Sequence, residues 1–212
     1  MSSIADIRRE YKLRSLNEKE AAFDAMEQFA SWWQDAFESQ IDEVNAMTLC
    51  TVTADGKPDG RVVLLKGYDE NGFSFFTNYE SNKGKELQAN PNATLVFFWK
   101  EIERQVRIYG SVSKLNEVEN DAYYNSRPRG SQLGAWASPQ SKPVANRQVI
   151  EQNLIVLQEE YREGSIPRPP HWGGYRVKPD SIEFWQGRTN RLHDRLLYTK
   201  QNNKWSFVRL AP

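Results

Sequence analysis

Apolar side chains recur along this chain first with a helical period and then, from Met47 onward, with a period of two. Residues 1–16 carry neither pattern; Arg8, Arg9, Tyr11, Lys12 and Arg14 make them a polar stretch, read as a mobile N-terminal arm. Phe23, Met26, Ala30, Trp33 and Phe37 then fall at helical spacing, and Asn17 with Glu20 forms a capping pair, so a helix is predicted from about residue 17. Alternation takes over at Met47–Thr53, resumes at Arg61–Tyr68 after the Asp55-Gly56 turn, and again at Phe73–Thr77 after Glu70-Asn71-Gly72. Ser81–Ala89 reads as a short helix stopped by Asn90-Pro91, followed by strands at Ala93–Lys100 and Arg104–Leu115. Asn116 and Glu119 cap a helix running to about Ser126, Pro128–Pro143 reads as irregular, and Val144–Tyr161 as a helix with Val149, Ile150, Leu154, Leu157 and Tyr161 inward. Beyond a proline-rich link, strands are predicted at Tyr175–Val177, Ser181–Gln186, Arg195–Thr199 and Lys204–Leu210. Short sequential strands joined by hairpin turns, with helices inserted rather than alternating, argue against a doubly wound parallel sheet. The expected class is mainly β with α (α+β): an antiparallel barrel with peripheral helices, residues 17–212 forming a single domain.

Composition narrows the picture. Lys+Arg and Asp+Glu balance at 28 each, so no global field draws nucleic acid or an anionic membrane. One cysteine, Cys50, excludes an internal disulfide, and no apolar run is long enough to span a bilayer, which makes a soluble, cytoplasmic protein the expectation. Hydrophobic content is 39% while aromatics reach 12%, a balance expected where rings are buried against a partner subunit or an aromatic ligand.

Candidate chemistry is defined partly by what is missing. The chain has no phosphate-loop or G-x-G-x-x-G motif, and two histidines with one cysteine do not make a structural zinc site, so no metal is expected. Cation clusters remain. Ser81-Asn82-Lys83-Gly84-Lys85 opens a helix whose free amides favour an anion. Tyr123 and Arg127, four residues apart, share a helix face that Ser131 completes as a cup; the spacing also allows a surface tyrosine stacked on an arginine. Lys66 ends the apolar run Val62–Leu65, placing its ammonium either in a site or snorkelling at a strand end. Arg191, His193 and Arg195 fall on one face if that segment is extended, a self-repelling row that is either a solvated charged edge or a site for an anion. Phe184 and Trp185 run straight into the row, which favours a flat, anionic ligand.

The chain resembles the pyridoxamine (pyridoxine) 5'-phosphate oxidase family from Arg8 to Pro212. The resemblance rests on Arg8-Arg9-Glu10-Tyr11, Arg61-Val62-Val63-Leu64-Leu65-Lys66, Phe76-Thr77-Asn78, Arg104-Gln105-Val106-Arg107, Ser126-Arg127-Pro128, Gln140-Ser141, Phe184-Trp185-Gln186-Gly187, Arg191-Leu192-His193-Asp194-Arg195 and Arg209-Leu210-Ala211-Pro212. It implies a split-barrel flavoprotein, a homodimer with FMN between its subunits, oxidising pyridoxamine or pyridoxine 5'-phosphate with O2. The products implied are pyridoxal 5'-phosphate and H2O2, with NH3 from the amine, within vitamin B6 metabolism and salvage. It places FMN contacts on Arg61, Val62, Val63, Leu64, Lys66, Phe76, Thr77, Lys83, Gln105, Gln140, Ser141, Trp185 and Arg195, with Asn82 facing the FMN phosphate. Substrate contacts are implied at Arg8, Tyr11, Lys66, Tyr123, Arg127, Ser131, Arg191 and His193, the last two as the catalytic pair flanking the ring. Asn82 stands where the family usually has arginine; a lost charge-assisted hydrogen bond of about 1.5–3 kcal/mol predicts FMN affinity weaker by about one to two orders of magnitude.

Overall fold

The structure is a computed structural model and describes Ile4 and residues 10–212. Arg8, and with it half of the expected arm, lies outside the described residues. Among those described, nine strands form one antiparallel sheet: β1 (Ala46–Val52), β2 (Pro58–Leu64), β3 (Gly67–Asp69), β4 (Gly72–Asn78), β5 (Asn92–Trp99), β6 (Arg104–Lys114), β7 (Trp172–Gln186), β8 (Asp194–Gln201) and β9 (Lys204–Arg209). Five α-helices accompany them: α1 (Ala25–Glu38), α2 (Asn82–Ala89), α3 (Glu117–Ser126), α4 (Arg129–Ala137) and α5 (Arg147–Glu160). The α+β class read from the sequence holds.

The strand order β2-β1-β5-β6-β7-β4-β3 bends at β7, whose first half pairs with β4 and whose second half pairs with β8. Two strands, Tyr175–Val177 and Ser181–Gln186, were expected here, because Lys178-Pro179-Asp180 breaks the alternation. The chain instead runs through as one strand with a bulge, where the register with β6 shifts between Tyr109 and Gly110. Gly110 makes this possible: a Cβ there would lie 2.0 Å from the Lys178 carbonyl oxygen. The expected strand Arg61–Tyr68 is conversely two strands. After Leu64 the chain leaves β1, and at Gly67 it joins β4, so Lys66 sits at the switch between partners.

α1 also differs from its expectation. The Asn17/Glu20 pair closes only one turn, with Glu20 and Ala21 N–H donating to the Asn17 carbonyl; the helix starts at Asp24, whose carboxylate accepts Met26 N–H at 2.7 Å. Its core face is Ala25, Phe29, Trp32 and Ala36, while Phe23 and Phe37 point outward, 88% and 62% exposed. The true stripe keeps helical spacing but is rotated from the predicted one, because Met26, Ala30 and Trp33 flank it only half-buried. Fully buried Phe29, Phe73, Phe97 and Phe184 join Leu49, Leu95, Ile108 and Val177 in the core between α1 and the sheet. α5 keeps the predicted face, but Val149, Ile150, Leu154 and Leu157 are half-buried and no residue of the helix is fully covered.

Candidate active site

A cavity of about 670 Å³ opens where β2, β4, α2, α3 and α4 converge. Arg61, Val62, Val63 and Leu64 line it from β2, Phe76 and Thr77 from β4, Lys83 from α2, and Lys66 from the strand switch. Tyr123, Arg127, Ser131 and Gln140 come from the α3–α4 side. The candidate phosphate-binding residues of two different motifs therefore share one cavity. Its lining includes Arg61, Lys66, Lys83 and Arg127 and no carboxylate among the described residues.

Each cation is held differently. Arg61 bonds Glu86 (2.8 Å), Asp59 (2.5 Å) and the Thr51 hydroxyl, so its guanidinium is fixed and partly neutralised. Glu86 is itself buried on α2 and accepts the Thr51 hydroxyl at 2.5 Å. Lys83 lies at the first turn of α2, whose N-cap is Ser81, and donates to Gln140 Oε1 at 3.3 Å; Thr77 Oγ1 donates to the same oxygen at 3.1 Å. Burial and then the neighbouring Arg61 charge hold the Lys83 ammonium below its ordinary pKa. Arg127 lies over the Trp172 ring at 4.6 Å and has a buried guanidinium nitrogen, Nη1, with no hydrogen-bond partner among the described residues. Burial pushes its pKa down. A desolvated cation in the wall of a cavity calls for an anion.

The aromatic wall beside it is a stack: Phe76 lies 3.9 Å from Tyr123 and 5.4 Å from Trp172, with interplanar angles of 23° and 14°. Trp172 was missed, since His171-Trp172-Gly173-Gly174 offers neither period nor charge. The α4 wall was missed too. Residues 128–143 read as irregular because Pro128, Gly130 and Gly134 are breakers, yet Pro128 merely starts the helix and Gly134 leaves open cavity wall.

The remaining predicted residues form a second group. Gln105, Trp185 and Arg195 are cross-strand neighbours along β6, β7 and β8, and Phe98 of β5, which the sequence did not single out, continues the row. Their sequence neighbours Phe97, Val106, Phe184 and Leu196 are fully buried, so this row faces the opposite, outer side of the sheet. Arg195 donates to Glu183 at 2.7 Å and to the Ala211 carbonyl at 2.9 Å. Trp185 meets His193 at 4.6 Å, and Tyr11 lies edge-on to Trp185 at 5.7 Å and near His193 at 5.9 Å. His193 Nδ1 accepts the Arg188 N–H at 3.1 Å; burial, then the Arg191 charge, lowers its pKa, opposed by Asp194. One expectation is corrected here. Arg191 does not share an extended face with His193 and Arg195: Thr189–Arg191 is a 3-10 turn with Asn190 and Arg191 at φ 56° and 60°, and β8 begins only at Asp194. Neither Asn82 nor Ser141 lines the cavity; both are exposed beside residues that do.

Comparison with known proteins identifies the chain's family and fold. Residues 33–158 match the family model described as pyridoxamine 5'-phosphate oxidase, and residues 172–212 match the pyridoxine 5'-phosphate oxidase C-terminal dimerisation region. A pyridoxine/pyridoxamine 5'-phosphate oxidase of a Cyanothece species is 56% identical over 210 residues, 99% of each chain. The chain belongs to the pyridoxine/pyridoxamine 5'-phosphate oxidase family. The family's enzyme from Cupriavidus metallidurans is 54% identical over the whole of both chains. Among solved structures, PhzG from Burkholderia lata, in complex with tetrahydrophenazine-1-carboxylic acid, superposes with a TM-score of 0.86 at 30% identity, covering 92% of this chain and 95% of its own. An FMN binding protein from Nostoc punctiforme shares the fold at a TM-score of 0.69 and 17% identity, over 90% of this chain and 100% of its own. The expected split barrel is therefore the observed fold. The C-terminal match places the family's dimerisation region on β7, β8 and β9, and no described helix is long and apolar enough to cross a membrane.

Proposed function

We propose that this chain is an FMN-dependent oxidase converting pyridoxamine and pyridoxine 5'-phosphates to pyridoxal 5'-phosphate, with O2 as electron acceptor. The observation that carries the reading is the cavity's charge: four cations with no carboxylate among the described lining residues, one of them Arg127 with an unmatched buried nitrogen. Those donors fit a phosphorylated planar cofactor beside a phosphorylated planar substrate. Arg61, Lys83 and the amide end of α2 would hold the FMN phosphate, with Thr77 and Gln140 beside them. Lys66, Tyr123, Arg127 and Ser131 would hold the substrate phosphate. Bound FMN supplies a two-electron acceptor that O2 reoxidises. The chain's own work is binding and orientation. The Phe76–Tyr123–Trp172 stack keeps Arg127 desolvated, and His193, with Nδ1 engaged as an acceptor, stays neutral at the substrate ring beside Arg191.

Gln105, Trp185 and Arg195 line none of their own chain's cavity. In this reading a homodimer brings that row from a second copy over the cavity, so FMN lies between the subunits. Purified protein should be yellow with oxidised-flavin absorption bands. Arg127→Ala should raise KM for pyridoxamine 5'-phosphate at least about tenfold while flavin content holds, since one charged contact is worth about 1.4 kcal/mol or more. An unchanged KM would remove Arg127 from the substrate site.

A further inference from the structure

Glu103 has none of the roles assigned above. It closes the turn between β5 and β6 in the left-handed region, φ 58°, and only 2% of it is exposed. A carboxylate so buried requires donors. Its Oε2 accepts the backbone N–H groups of Lys12 at 2.8 Å and Leu13 at 3.0 Å, the two residues directly after Tyr11. Its backbone carbonyl accepts Gly187 N–H at 2.8 Å and Gln186 Nε2 at 3.1 Å. One residue thus ties the arm to the strand end that carries Trp185. Gly187 supplies the clearance: a Cβ there would lie 2.7 Å from Tyr11 Cγ, 2.8 Å from Tyr11 Cβ and 3.1 Å from Glu103 Cβ. Leu16 N–H is fastened separately, to Asp194 at 3.1 Å, which leaves the placement of Tyr11 to Glu103 and Gly187.

We infer that Glu103 is a positioning residue for the oxidase reaction: through the amides of Lys12 and Leu13 it sets Tyr11 against the Trp185–His193 pair, in the clearance that Gly187 leaves. The anchor grips backbone, so it is indifferent to the side chains at 12 and 13. The inference rests on the functional reading above, together with the substrate contact that the family resemblance implies at Tyr11.

Glu103→Ala and Tyr11→Ala, alone and combined, test it in the full-length holoenzyme. Glu103→Ala should raise KM for pyridoxamine 5'-phosphate about tenfold on its own, yet add less than about twofold in the Tyr11→Ala background, because residues acting through one another are not additive. Trypsin cleavage after Lys12 and Arg14 should accelerate about tenfold in the Glu103→Ala holoenzyme at unchanged Tm, as expected when an anchored segment opens locally. Fully additive losses, or an unaltered cleavage rate, would overturn the assignment. Gly187→Ala, which keeps the carboxylate, should give the same KM increase and the same masking by Tyr11→Ala, and it carries the test if Glu103→Ala does not fold. If Tyr11→Ala leaves KM untouched while Glu103→Ala still accelerates cleavage, the anchor stands and the substrate-site reading falls.

Discussion

Arg191, His193 and Arg195 lie within five residues, yet the structure gives each a different task. Arg195 is locked to Glu183, a carboxylate only 8% exposed, whose other partner is Arg107 at 3.3 Å. Arg191 ends a turn and bears on His193 through its charge. Arg191→Ala should lower kcat/KM at least about tenfold with flavin content unchanged, and Arg195→Ala should lose flavin first. The imidazole gives an independent readout. His193 titrates below 6.5 in the folded chain, so between the folded and unfolded pKa values the unfolded chain binds more protons, and stability falls as pH drops through that window. Protonating Nδ1 also removes the acceptor for Arg188 N–H. NMR titration of the His193 ring should show its pKa rising in Arg191→Ala, since only burial then lowers it, against Asp194; an unmoved value would mean Arg191 does not face the ring. The three residues' identity was legible in the sequence, but their geometry was not. Period-two reasoning assumes an extended chain, and positive φ at Asn190 and Arg191 breaks it.

At the scale of elements, α2 shows how a local signal survives intact. Ser81, fully buried, caps the helix by accepting Gly84 N–H, and so aims Lys83 into the cavity. Both features follow from local sequence, and both were legible. α4 was not, because proline and glycine signal a break without saying whether a helix begins or ends there. The register shift of β7 was equally hidden, since it depends on Gly110 in a distant strand accepting a close backbone approach. Asn82 occupies the first helical position of α2, exposed and beside Lys83, where an added guanidinium meets no packing obstacle from a buried neighbour. Asn82→Arg should therefore tighten FMN binding about tenfold or more with substrate KM unchanged. A fluorescence titration showing equal or weaker affinity would place the cofactor phosphate away from the start of α2.

At the scale of the whole molecule, the proposed site is divided between two separate places on one chain. The cavity gathers Arg61, Lys66, Lys83 and Arg127, while Phe98, Gln105, Trp185 and Arg195 stand on the outer face with Phe98 54% exposed. Tyr109, two strand positions beyond Arg107 on the same face of β6, is 47% exposed, and Val62, at the cavity itself, 68%. A chain with only 39% hydrophobic residues that leaves such groups uncovered gains by burying them against a second copy. The dimerisation-region match covers β7 to β9, the strands that carry Trp185 and Arg195. If the proposed interfacial site is right, association and flavin binding should be coupled, because each half then supplies only part of the cofactor's contacts. Phe98→Asp puts a charge at the β5 end of the outer row, at a residue that is neither in the cavity lining nor in the buried core. It should shift the protein from dimer to monomer in light scattering and release flavin in the same concentration range, each loss tracking the other on dilution. A Phe98→Asp monomer that keeps one flavin per chain would show the site complete within one subunit, and the outer row would then need another explanation.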